Sequence, residues 1–290
     1  PPPPLFFLNP HAATPDAQES RGLGDVYKRQ SMDNNPLFDL KGKTAVITGS
    51  SRGIGKAIAV RMAEYGAKVM ISSRKIDACN QVVDEIKDLG GEAYAEECNI
   101  SSKDALQNLC DVSYKKLGKV DILVLNAASN PYYGPLAKIT DEAFDKVMNN
   151  NVKSNLWLSN MIIPKMAEAG GGKVIVISSI AGITGSDVLG AYSISKTADL
   201  GLVRSLAVEW GPKNINVNAL LPGIIKTNFA RALWENPEIL GNVEKNAPLR
   251  RIGIPDEVAG AAILLASDSG AFITGQTIVM DGGVTISGTA

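Results

Sequence analysis

Residues 43–72, KTAVITGSSRGIGKAIAVRMAEYGAKVMIS, join a short apolar strand to a helix through a turn holding three glycines, then return to a second apolar strand. Strands linked by a helical crossover run parallel, and a sheet of such units has both faces covered by helices. The same alternation continues to the C-terminus. Strands are predicted at 43–48, 67–72, 92–98, 121–126, 173–178, 214–221 and 277–280. Helices are predicted at 54–65, 77–89, 103–116, 141–169 as one long rod, about 190–210, and 255–266, while 228–245 is less regular. Without an internal repeat or a linker long enough to divide the core, this pattern specifies one α/β domain.

The expected architecture is a Rossmann-type, doubly wound parallel sheet of about seven strands, spanning residues 32–290. Residues 1–31 stand apart. Their apolar piece, Leu5 to Leu8, is too short for a signal peptide and lacks a basic flank before it. DVYKRQ at 25–30 looks like a translated library adapter. The expectation is an artefactual or disordered leader, with Met32 as the native start.

Composition narrows the chemistry. The 290 residues are 45% hydrophobic and 20% charged, with a formal net charge of −1, which disfavours a nucleic-acid partner. No apolar run approaches the ~18 residues of a membrane span. Cys79, Cys98 and Cys110 are odd in number and include no C-x-x-C pair, so they read as reduced thiols of a cytoplasmic protein. The single histidine, His11, lies in the leader. A His-based triad or His-rich metal site is therefore excluded, and no metal is expected. Acid–base work falls to Tyr, Lys, Asp or Glu.

The glycine turn TGSSRGIG, at 48–55, carries Gly49, Gly53 and Gly55. Such a turn lets backbone N–H groups approach a pyrophosphate at a helix N-terminus, although alone it is also simple strand-to-helix punctuation. AYSISKTADLGLV at 191–203 sets Tyr192 and Lys196 four residues apart, on one helix face. That spacing fits a Tyr packed on a Lys stem as well as a phenol whose proton is drawn by an ammonium. The surroundings decide.

TGSSRGIG, NAA at 126–128, Asn151 within NNNVKSN, ISSIAG at 177–182, YSISK at 192–196 and PGIIKT at 222–227 occur in this order. Together they resemble the short-chain dehydrogenase/reductase family over about residues 40–288. SNPYYG and PGIIKTNFARALWENPE look most like its NADPH-dependent carbonyl reductase branch. The resemblance implies hydride transfer from NADPH to a ketone or aldehyde, reversible as alcohol oxidation. Tyr192 would be the general acid, since a free phenol near pKa 10 exchanges protons poorly at neutral pH and a nearby ammonium favours the phenolate. Lys196 would supply that ammonium and hydrogen-bond the cofactor ribose. Ser179 would donate to the substrate oxygen, unless it and Ser178 are only turn caps. Asn151 would hold a proton-relay water, unless it is a mid-helix polar residue. The implied cofactor contacts are Gly49, Ser51, Arg52, Gly53, Ile54 and Gly55 in the turn, then Asn99, Ile100, Asn126 and Ala127. Tyr192, Lys196, Pro222, Gly223, Ile225 and Thr227 complete them.

Departures are confined to a few places. Leu125 and Ala128 replace the outer residues of the family's N-N-A-G, and Asn99 stands where an acid often meets the adenine amine. NADP(H) is expected over NAD(H), because no carboxylate occurs between Ala67 and Ile76, Ser73 takes the family's acidic position, and Arg74 follows it. Arg74 and Lys75 would otherwise be a solvated helix start. The pocket walls are expected at 129–135, 180–189 and 224–247. Within the last, Phe229, Leu233 and Trp234, with Arg231 and Glu235 beside them, read as an apolar lid or as an ordinary packed helix or subunit contact. A homotetramer built on the two long helices and the C-terminal strand is also implied. The alternatives are a 3-oxoacyl-carrier-protein reductase of the same fold and a catalytically silent NADP(H)-binding sensor.

Overall fold

Strand β1, Thr44–Thr48, is buried along its whole length, and its side chains divide between two cores. Ala45 and Ile47 face one core, while Val46 faces the other. This follows from the two-residue period of a strand covered on both faces. The same division recurs in β2, Lys68–Ser73, where Val69 and Ile71 oppose Met70. It recurs again in β4, Ile122–Leu125, and β5, Gly172–Ile177. With β3, Glu92–Glu97, β6, Ile215–Pro222, and β7, Thr277–Met280, they form a seven-stranded sheet in the order β3-β2-β1-β4-β5-β6-β7. Every pairing is parallel.

The computed structural model describes residues 36–287, and Leu37 onward forms one unit. The expected leader, 1–31, lies outside the described residues. Helices α1, Gly53–Glu64, and α2, Ile76–Asp88, cover the first core through Ile58 and Val82. Helices α3, Lys103–Leu117, α4, Asp141–Met148, α5, Ser154–Glu168, and α6, Gly190–Trp210, follow along the chain. Of these, α3, α5 and α6 cover the second core through Leu106, Leu158 and Val203. Two short helices, α7, Arg231–Trp234, and α8, Pro237–Asn246, precede α9, Pro255–Ala266, which returns to the first core through Val258. Each fully buried aliphatic side chain contributes about 1.5–3 kcal/mol. The doubly wound sheet is thus the one expected, and its strand order reverses between β1 and β4. In such sheets a crevice opens at that switch, beyond the C-terminal strand ends.

Two expectations change in detail. The rod expected at 141–169 is broken between α4 and α5 by a wide π-helical turn, Asn149–Lys153. Such turns occur where side chains are re-aimed, often at functional sites. Here Asn151 accepts from the Ser129 N–H and donates to the Ser129 carbonyl and Ser195 Oγ, all within 3.0 Å. Residues 228–245 hold α7 and α8, the latter started by Asn236, whose Oδ1 accepts from the N–H groups of Glu238 and Ile239. Among the described residues, no helix is long and apolar enough to cross a membrane.

Candidate active site

The turn between β1 and α1 is shaped by close approach. Gly49 and Gly53 adopt φ of +66° and +58°, which glycine tolerates far better than other residues. At Gly55, a Cβ would lie 2.5 Å from both Asn126 Nδ2 and the Gly49 carbonyl. Asn126 follows β4 and donates to the Thr48 and Gly49 carbonyls at 2.8 and 3.1 Å. Thr48 Oγ1 in turn accepts from the N–H groups of Asn126 and Ala127. The ends of β1 and β4 are thereby fastened together. Gly55→Ala should lower the melting temperature and weaken dinucleotide binding at least tenfold, because overpacking a fixed site costs about 1–3 kcal/mol. Thermal melting and a fluorescence titration with cofactor would read both effects.

A cavity of about 650 Å³ opens at the switch point. Its lining gathers Gly49, Ser51, Arg52, Gly53, Ile54 and Gly55 from the turn, and Arg74, Asn99 and Ile100 after β2 and β3. Asn126, Ala127, Tyr192, Lys196 and Thr227 complete the predicted residues that line it. Asn151, Ser179, Pro222, Gly223 and Ile225 lie outside the lining. Pro222 ends β6, and Gly223 passes so close to Asp281 that a Cβ would meet its Cα at 2.9 Å. Ile225 is buried in the first core.

Among the described residues, neither Arg52 nor Arg74 has an ion pair or a side-chain hydrogen bond, and both residues line the cavity. Ser73 closes the end of β2, its hydroxyl 3.1 Å from Cys79 Sγ. Asn99 Oδ1 accepts from the N–H and hydroxyl of Ser101. Cys98, unassigned from sequence, also lines the cavity, and burial pushes its thiol up to about 11.

At the other end, α6 presents Tyr192 and Lys196. The Lys196 Nζ sits 5.8 Å from the Tyr192 ring centroid. It donates to the Ile177 carbonyl at the end of β5 and to Asp199 Oδ2, both at 3.0 Å. Ser178 donates its hydroxyl proton to the Lys196 carbonyl, which fastens β5 to α6 and spends that proton. Ser179 instead accepts from the Ala181 N–H, as a cap does, and keeps its own proton available. Phe229 stands across the cavity, its ring centroid 6.3 Å from that of Tyr192, and is 59% exposed. In the lid segment Trp234 Nε1 donates to the Thr227 carbonyl, and Arg231 pairs with Glu235 at 2.7 Å.

Two contributors escape a reading of motifs. Asp199 is fully buried against Lys196. Burial pulls the lysine toward losing its proton, but the Asp199 carboxylate and then Tyr192 outweigh it, holding the ammonium above the ordinary lysine range. Burial acts on Asp199 in the opposite sense, pushing its carboxyl up against the pull of Lys196, Asn155 and Ser178. Asn150 also lines the cavity, with Nδ2 bonded to Ser129 Oγ and Oδ1 buried without a partner. The run NNN at 149–151 was its only sequence signal.

Known proteins resemble this chain in sequence and fold. The family described as "Enoyl-(Acyl carrier protein) reductase" matches residues 49–285. The bovine (Bos taurus) protein "Dehydrogenase/reductase SDR family member 4" is 40% identical over 249 residues, 86% of this chain and 88% of its own length. The 7alpha-hydroxysteroid dehydrogenase of Escherichia coli is 40% identical over 255 residues, 87% of this chain and 98% of its own. A solved 7alpha-hydroxysteroid dehydrogenase, complexed with NADH and 7-oxo glycochenodeoxycholic acid, superposes with a TM-score of 0.84 at 40% identity, covering 87% of this chain and 98% of that one. A putative NAD(P)-dependent gluconate 5-dehydrogenase from Beutenbergia cavernae, with bound NADP, gives 0.81 at 34% identity, covering 86% and 99%. With the sheet order, the glycine turn and these relatives in agreement, the chain belongs to the short-chain dehydrogenase/reductase family of nicotinamide-dependent oxidoreductases, which act on CH–OH and C=O groups.

Proposed function

We propose that this protein is an NADPH-dependent reductase of small or aromatic ketones and aldehydes, with Tyr192 as the general acid. The observation that carries the reading is the pairing of Tyr192 with a buried, charge-held Lys196 in the cavity that also contains the glycine turn. The residues fit a dinucleotide. The glycine cradle has no room for a Cβ at Gly55, and the unpaired guanidinium groups of Arg52 and Arg74 suit a 2′-phosphate. Backbone N–H groups from Gly49 to Gly55 would hold the pyrophosphate. Asn99 and Ile100 would border the adenine, and Asn126, Ala127, Pro222, Gly223, Ile225 and Thr227 the nicotinamide half.

When bound, the reduced nicotinamide supplies the hydride. The protein supplies the proton and its placement. Ser179 donates to the carbonyl oxygen, Tyr192 gives up its proton as charge develops there, and Lys196 stabilises the phenolate left behind. Asn151 acts from the π-turn by fixing the Ser129 segment beside the pocket. Phe229 gives the mouth an apolar wall, which favours a hydrophobic carbonyl. We place the protein in the cytoplasm as a homotetramer. Exposed Phe272 and Ile286, flanking the outer edge strand β7, fit a subunit contact there.

A 3-oxoacyl-carrier-protein reductase is the second reading, favoured by the acyl-carrier-protein wording of the matching family. Turnover of small ketones, aromatic aldehydes and a 3-oxoacyl thioester on carrier protein, each with NADPH, separates the two. Preference for free carbonyls supports the proposal. Preference for the carrier-bound thioester overturns it.

A further inference from the structure

Lys196 and Asp199 form a buried ion pair at 3.0 Å, and they are 2% and 0% exposed. The carboxylate is itself held. Asn155 on α5 donates through Nδ2 to Asp199 Oδ1 at 3.0 Å and to the Asn151 carbonyl at 2.8 Å. A continuous chain therefore runs from the Asn151 carbonyl through Asn155 and Asp199 to the Lys196 ammonium, crossing from α5 to α6. Of the three protons on that ammonium, Ile177 O and Asp199 Oδ2 take two. The third is left for the cavity. Resting on the reading of Tyr192 and Lys196 above, we propose that Asp199 is a positioning residue: its buried carboxylate, tied to Asn155, orients the Lys196 ammonium and keeps it charged beside Tyr192.

The sign follows from counting charge. With Asp199 ionised, Tyr192, Lys196 and Asp199 together are neutral before the phenol ionises and carry −1 after it. Without that carboxylate they go from +1 to neutral, so the first proton leaves the Tyr192–Lys196 pair more readily. It leaves from Lys196, because burial already pulls that amine toward its neutral form and Asp199 no longer opposes the pull, so Tyr192 loses the cation that favours its phenolate. The other groups bonded to this cluster, Ile177 O from β5, the Ser178 hydroxyl beyond it and Asn155 from α5, are uncharged.

The test needs neither cofactor nor substrate. Phenolate absorbance is titrated in the parent chain and in Asp199→Asn, with a Tyr192→Phe control subtracted in each background. Asp199→Asn should move the Tyr192 transition to higher pH by about one unit, a tenfold change. Asp199→Glu, which keeps the charge, should restore it toward the parent. Asp199→Ser serves if the Asn variant does not fold, as judged by circular dichroism. A folded variant whose Tyr192 transition stays within about 0.3 unit of the parent, or moves to lower pH, overturns the proposal. A parent chain that reduces no carbonyl would instead refute the functional reading, and this titration would still be legible.

Discussion

Tyr192→Phe is expected to lower carbonyl reduction by about 10²- to 10⁴-fold, the usual contribution of a positioned acid. The change keeps the ring that faces Phe229 across the cavity and removes only the hydroxyl. Cofactor affinity should therefore stay within a few-fold of the parent, and the melting temperature should hardly move. Steady-state kcat with saturating NADPH, alongside a binding titration, separates these effects. A variant that keeps most of its kcat contradicts the assignment of the acid.

The second large effect lies at the opposite end of the cavity. Wild-type protein should prefer NADPH, because Arg52 and Arg74 offer two uncommitted guanidinium groups and β2 ends on Ser73 rather than on an acid. Each charge-assisted bond to phosphate contributes about 1.5–3 kcal/mol. Ser73→Asp combined with Arg74→Ala deletes one such donor and adds a repelling carboxylate. The ratio of kcat/KM for NADPH over NADH should fall by about 10²-fold or more. The NADH seen in the superposing 7alpha-hydroxysteroid dehydrogenase makes this a sharp test. A wild-type preference for NADH would reject the cofactor assignment, whatever the double variant does.

Much of this fold was legible because strands buried on both faces must read as short apolar runs, and helices between them must carry the 3.6-residue period. VIVIS at 174–178 and TIVM at 277–280 allow little else. The π-turn at 149–153 was not legible, since apolar periodicity runs on through it and the cause is a contact between Asn151 and the distant Ser129. The glycine turn, Tyr192 and Lys196 were legible because their chemistry is written in local spacing. Asp199 was not. An acid three residues after a lysine on a helix normally reads as a solvent-exposed pair of small consequence. Only the packing of α6 against β5 and α5 reveals it as buried and coupled.

The central claim is that this chain moves hydride from NADPH to a carbonyl carbon while Tyr192 supplies the proton. Its most direct test is a label transfer. Protein, NADPH deuterated at C4 and an aromatic ketone are incubated together, and the product is examined by mass spectrometry and NMR. The prediction is an alcohol with one deuterium on the carbinol carbon, formed with wild-type protein and at most about one-hundredth as fast with Tyr192→Phe. Tight NADPH binding without labelled alcohol, from any ketone or aldehyde offered, would contradict it and leave a nucleotide-binding protein without turnover.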